Sequence, residues 1–129
     1  MATFKQVLVI DDDELFLFVS KAIMQDEGFA EHIREYEDAT DALAYLKSAK
    51  TDELPELLFL DINMPIMDGW EFLDAVDQLG LPKKMAVYIT SSSINPLDLK
   101  NAEINPYVRG FMSKPLDPQK LKKLADELK

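Results

Sequence analysis

The chain has no cysteine among its 129 residues, which excludes disulfide frameworks, thiolate metal centres and cysteine nucleophiles. Glycine is scarce, at four residues. No Gly-rich phosphate cradle follows the first apolar run, which argues against a flavin carrier. No apolar stretch approaches membrane-spanning length, and the N-terminus lacks the basic-then-apolar layout of a signal peptide. A cytoplasmic protein with no membrane partner is therefore expected. Basic side chains are also few: 14 Lys and Arg stand against 24 Asp and Glu, a net charge of −10. That balance argues against direct nucleic-acid binding, which depends on cations neutralising phosphates. The one basic cluster, Lys120-Lys122-Lys123, reads mainly as a favourable interaction with a helix C-terminus. No internal repeat or low-complexity segment is evident.

What the chain does have is four apolar runs that each end on a polar residue. Val7-Leu8-Val9-Ile10 runs into Asp11-Asp12, and Leu57-Leu58-Phe59-Leu60 into Asp61. Val87-Tyr88-Ile89 runs into Thr90, and the run from Val108 to Ser113 into Lys114. Continuous apolar runs separated by helical stretches indicate a parallel sheet buried on both faces. Strands are expected over 6–10, 32–36 (a weaker edge strand), 57–60, 85–89 and 108–112. Helices are expected over about 13–27, 38–47, 68–79 and 95–103, with the last starting at Asp117-Pro118. A polar loop covers 48–55. Asp68 with Glu71, Asn95-Pro96 and Asp117-Pro118 carry helix-start chemistry. This βαβαβαβαβα alternation predicts an α/β fold, a doubly wound parallel sheet with helices on both faces, as one domain over 1–129.

Such sheets bind ligands outside the carboxyl ends of their strands. Asp11, Asp12 and Asp61 would then share a crevice, where two unit charges about 4 Å apart cost roughly 4 kcal/mol at an effective dielectric near 20. A hard dication removes that repulsion, and oxygen-only ligands favour Mg²⁺. Helix capping alone would account for Asp11-Asp12-Asp13, but no obvious helix starts directly after Asp61. Lys114, ahead of Pro115 and a turn that a cis bond would suit, could hold a phosphoryl oxygen as a point charge. The Thr90 hydroxyl is placed to donate to the same oxygens.

With these residues the chain resembles the receiver domain of two-component response regulators, the chemotaxis-regulator-like superfamily. The markers are Val9-Ile10-Asp11-Asp12, Leu60-Asp61-Ile62-Asn63-Met64-Pro65 with Met67-Asp68-Gly69, Ile89-Thr90-Ser91 and Lys114-Pro115-Leu116. Any one is weak; the set in this order is specific, and it spans essentially the whole chain. The resemblance implies a flavodoxin-like (βα)5 three-layer sandwich, with a five-stranded parallel sheet of order 2-1-3-4-5, in a stand-alone receiver. It implies Asp61 as phospho-acceptor, with Mg²⁺ bound by Asp12, Asp61 and the Asn63 carbonyl and held through water by Asp11. Thr90 would be the switch hydroxyl, Lys114 the phosphoryl contact and Phe111 the switch aromatic, where many relatives carry tyrosine. The donor would be a sensor histidine kinase or histidine phosphotransfer protein. The output partner is a protein the sequence does not name.

Two surfaces are expected to meet partners. At about 100° per residue Phe16, Val19 and Ile23 share the inner face of the first helix, which leaves Phe18, and Leu15 or Leu17, exposed beside the acidic pocket for docking. The face around Leu97, Lys100, Phe111 and Lys120, on the fourth helix, fifth strand and fifth helix, would serve output or a homodimer. Trp70 reads as a core anchor. The competing readings are an aspartate-nucleophile phosphatase, against which Asn63 stands where a second acid is wanted, and a degenerate receiver, which would normally lack part of the pocket.

Overall fold

The computed structural model describes residues 3–92 and 94–128. Strands β1 (Phe4–Ile10), β2 (Ala30–Tyr36), β3 (Leu57–Asp61), β4 (Ala86–Ser91) and β5 (Val108–Ser113) form one parallel sheet in the order β2-β1-β3-β4-β5. Helices α1 (Glu14–Asp26), α2 (Ala39–Ser48), α3 (Gly69–Gln78), α4 (Pro96–Ile104) and α5 (Pro118–Leu128) connect and follow the strands. The doubly wound architecture and strand order agree with the sequence reading.

Strand position follows composition. Every residue of β3 and β4 is buried, as are Val7 to Ile10 of β1, whereas the more polar β2 and β5 form the edges. Alternate side chains feed two cores. One, beneath α1 and α5, holds Val7, Val9, Phe16, Met24, Phe59 and Leu121. The other, beneath α2 and α3, holds Leu8, Ile10, Leu58, Leu60, Phe72 and Val87. Each such side chain contributes about 1.5–3 kcal/mol on burial, so the central strands are the most firmly held part of the sheet. The helix starts are capped as their sequences suggest. Asp13 accepts from the Leu15 and Phe16 amides, and Asp68 and Glu71 form a reciprocal box, as do Asn95 and Asp98.

Three details depart from expectation. Strand β4 runs two residues past Ile89, so Thr90 lies within the ladder, opposite Asp61 on one side and Met112 on the other. The loop over 48–55 contains a 3-10 turn, Thr51–Glu53, to whose Glu53 carbonyl the Tyr45 hydroxyl donates at 2.9 Å. In α1 the buried stripe is Phe16, Leu17, Ser20 and Met24, and Val19 is 38% exposed. Val19 is thus on the flank, not the inner face, because the helix seats on the spacing of four that carries the small Ser20 toward the sheet.

Candidate functional site

Ile10 lies opposite Leu60, so the residues that follow, Asp11 and Asp61, emerge side by side at the carboxyl edge. This is the switch point of the sheet, where β1 has β2 on one side and β3 on the other. Asp11 is fully buried and Asp61 nearly so, while Asp12 is exposed at the rim. One carboxylate oxygen from each of the three lies within 4.8 Å of the others, a hard-oxygen donor set of the kind that holds a divalent cation.

Lys114 reaches this cluster from the far side of the sheet. Its Nζ stands 2.7 Å from Asp11 Oδ2 and 3.7 Å from Asp61 Oδ2. The Lys114–Pro115 peptide is cis, and the Lys114 amide donates to the Ser91 carbonyl at 3.2 Å. Beneath the ammonium lies the Phe16 ring, its centroid 4.8 Å from Nζ, a cation–π contact that the sequence reading, which placed Phe16 only in the core, did not anticipate. Asp11 Oδ1 accepts from the Asp13 amide at 2.9 Å, and Asp61 Oδ1 from the Asn63 amide at 3.1 Å, which brings the Asn63 peptide to the pocket.

Burial pushes the Asp11 carboxyl above the usual range, against the opposing pull of the Lys114 hydrogen bond. Burial likewise raises Asp61; the neighbouring Asp11 adds to the rise, while the Asn63 amide and Lys114 work against it. Burial disfavours the Lys114 cation, yet the hydrogen bond and charge of Asp11, with the charge of Asp61, outweigh that and raise it. The pocket therefore holds more negative charge than its one lysine satisfies. Thr90 is completely buried, and its Oγ1 has no hydrogen-bond partner among the described residues. An idle buried hydroxyl is costly, and here it stands beside the Asp61 strand end.

Phe111 is half-buried, opposite Ile89 and packed against the α2–α3 core. Leu15 and Phe18 are 69% and 72% exposed on the first turns of α1, whereas Leu17 is buried. Trp70 is half-buried, and its indole N–H donates to Asp98 Oδ1 at 3.2 Å, tying α3 to α4. Lys120 is not near a helix C-terminus. It stands in the first turn of α5, where its ammonium meets the preceding loop.

The loop after Asp61 carries a feature without a signal in the sequence. Ile66 has φ +70°, and the Met67 amide donates to the Pro65 carbonyl across it at 2.8 Å, a γ-turn of the strained hand. Ile66 is also 85% exposed, so little packing offsets the strain of a β-branched side chain there. Ile66→Asn should raise stability by about 1 kcal/mol, since asparagine tolerates this backbone region. Urea unfolding checks this, and an unchanged or lower midpoint would contradict it.

The family model described as the response regulator receiver domain matches residues 7–126. The chain belongs to that family. The receiver is similar to a two-component response regulator from Cytophaga hutchinsonii, with 33% identity, a TM-score of 0.84, and 97% of this chain and 96% of the other covered. It is also similar to the chemotaxis protein CheY4 of Vibrio cholerae, with 25% identity, a TM-score of 0.78, and 97% and 98% covered. Over 84 residues it is 34% identical to the virulence-factor transcription regulator BvgA of Bordetella pertussis. That stretch is 65% of this chain and only 38% of BvgA, so the part of BvgA that it matches is well under half of that protein. Receivers are modules of two-component signalling, not enzymes in the ordinary sense. No helix among the described residues is long and apolar enough to cross a membrane.

Proposed function

We propose that this receiver accepts a phosphoryl group on Asp61 from a phosphohistidine, carried by a sensor histidine kinase or a histidine phosphotransfer protein, and that it signals through protein contacts. The observation that carries this reading is the convergence of Asp11, Asp12, Asp61 and Lys114 beside a buried, unpartnered Thr90 hydroxyl.

The residues fit Mg²⁺. Three hard carboxylates lie close enough to share one ion, burial raises two of them so that a cation beside them would favour their charged forms, and neither histidine nor cysteine is among them. Asp11, Asp12, Asp61 and the Asn63 carbonyl would hold it, and when bound it supplies charge neutralisation for the incoming phosphoryl oxygens. An Asp61 carboxylate oxygen forms the new P–O bond as the P–N bond to the donor imidazole breaks, its electron pair returning to nitrogen. The Lys114 ammonium, shared between Asp11 and Asp61, offers its charge to a phosphoryl oxygen. Thr90 donates its idle hydroxyl to another. A hydrogen bond to a charged group contributes about 1.5–3 kcal/mol, so a bond made only in the modified state shifts populations roughly 10- to 100-fold. Phe111, half-buried and one residue off the Thr90 register, is the side chain we assign to report that shift. With no hydroxyl, its two positions differ by packing alone. The face around Leu97, Phe111 and Lys120 is the proposed output or dimer surface.

Incubation with Mg²⁺ and acetyl phosphate should add one phosphoryl group to the intact mass of the wild type and none to Asp61→Asn. An unchanged wild-type mass would reject the proposal. Leu15 and Phe18 are proposed to dock the phosphohistidine domain. Phe18→Glu should slow transfer from that domain about 10-fold or more while labelling by acetyl phosphate proceeds as before. Equal loss in both assays would remove the docking role.

A further inference from the structure

Lys120 occupies a position that helix electrostatics disfavours, a cation in the first turn of α5 at the positive end of the helix dipole. Something else holds it there. Its Nζ donates to the Ser113 carbonyl at 3.1 Å, to Ser113 Oγ at 3.2 Å and to the Pro115 carbonyl at 2.9 Å. A lysine ammonium has three donors, and all three are engaged. Asp117 Oδ2 stands 3.9 Å from the same Nζ. The acceptors belong to the two residues that flank Lys114, so one ammonium clasps the loop immediately before and after it. On the other side the Lys114 amide is tied to the Ser91 carbonyl of β4. The backbone of Lys114 is thus held from both α5 and the sheet while its side chain crosses to Asp11 and Asp61.

We propose that Lys120 is a positioning residue for Lys114: by bridging Ser113 and Pro115 it holds the β5–α5 loop so that the Lys114 ammonium reaches the phosphoryl group. This rests on the proposed phosphorylation of Asp61. Lys120 touches neither the carboxylates nor the phosphoryl group. Its effect passes through the backbone on which Lys114 is mounted, and a displacement of about 1 Å at a reacting group can cost up to 100-fold in rate.

The test is the rate of phosphorylation by acetyl phosphate at saturating Mg²⁺, followed by intact mass. Lys120→Met, which keeps the apolar stem and loses all three donors, should slow the reaction about 10-fold with unchanged Mg²⁺ affinity. Lys120→Gln, which keeps two N–H donors, should fall between, and it carries the comparison if the Met variant does not fold. In a Lys114→Ala background there is no ammonium left to aim, so adding Lys120→Met should change the rate less than about 2-fold. The same slowing in both backgrounds would show that Lys120 merely stabilises the fold, and an undiminished rate in the single variants would show that the clasp aims nothing. Either result overturns the proposal. A wild type that takes no phosphoryl group at all overturns instead the function on which the proposal rests, so the two failures are distinguishable.

Discussion

Gly69→Ala is expected to destabilise the receiver by about 2 kcal/mol and to disturb the proposed acceptor site in the same step. A Cβ at this position would lie 2.8 Å from Ile62 Cα, 2.8 Å from Ile62 Cγ2 and 2.9 Å from the Asp61 carbonyl oxygen. Two of those three atoms are backbone, so no rotamer change relieves the clash. The approach is close because α3 begins directly against the end of β3, where the Gly69 amide donates to the Ile62 carbonyl at 3.2 Å. The helix start must move away, or Asp61 and Ile62 must shift. Better helix propensity for alanine, about 1 kcal/mol, opposes the loss without cancelling it. Thermal unfolding should show a fall of roughly 5–10 °C, and labelling by acetyl phosphate should slow. Gly69→Ser should behave alike, since the obstacle is the Cβ itself. A variant with unchanged midpoint and rate would show that the gap between α3 and β3 opens freely.

Lys114→Met removes the cation closest to a fully buried carboxylate. Asp11 then keeps its Asp13 amide bond but loses the ammonium at 2.7 Å. Leaving a buried charge without its partner costs about 3–5 kcal/mol in enclosed pairs; with Lys114 partly exposed, about 2–3 kcal/mol is expected here. The loss should depend on pH in a stated direction. Asp11 and Asp61 titrate above their ordinary value of 3.8 in the fold, so their charged forms subtract stability as pH rises through that window. Without Lys114 that subtraction grows, and acidification, which protonates them, should narrow the gap between variant and wild type. Lys114 itself titrates above its ordinary 10.5, so its contribution is full below that value and is lost as pH rises through the folded one. The gap should therefore be widest near neutrality and close toward both extremes. Mg²⁺ should also narrow it, by compensating the same carboxylates. Urea unfolding at several pH values, with and without Mg²⁺, measures all of this. A gap that persists undiminished into the acid range would mean that Asp11 is not its source.

Much of this was legible in the chain because the signals were local. Val7–Ile10, Leu57–Leu60 and Val87–Ile89 could be read as inner strands because a strand covered on both faces needs no polar alternation. Asp68 with Glu71 and Asn95 with Pro96 announced their helices through groups at most three residues apart. Val19 was misplaced because a helix start apolar on all sides leaves its rotation to the sheet it meets. Lys120 was misread although Asp117-Pro118 already marked the helix start three residues before it, because the Ser113 and Pro115 carbonyls that hold its ammonium there are brought to it only by the fold of the preceding loop. The γ-turn at Ile66, the Phe16 ring under Lys114 and the closeness of Gly69 to Ile62 left no trace in composition or periodicity.

Strand character, helix caps and the polar residue ending each strand were thus written into the order of the amino acids, since each depends on neighbours a few positions away. Which of those strand ends face one another was not. The 2.7 Å meeting of Asp11 with a lysine over a hundred residues later, and the burial that leaves Thr90 Oγ1 without a partner, exist only because β1, β3, β4 and β5 stack in that order. Long-range register and exclusion of water are properties of the packed sheet, and they turn separate carboxylates, a hydroxyl and an ammonium into one site.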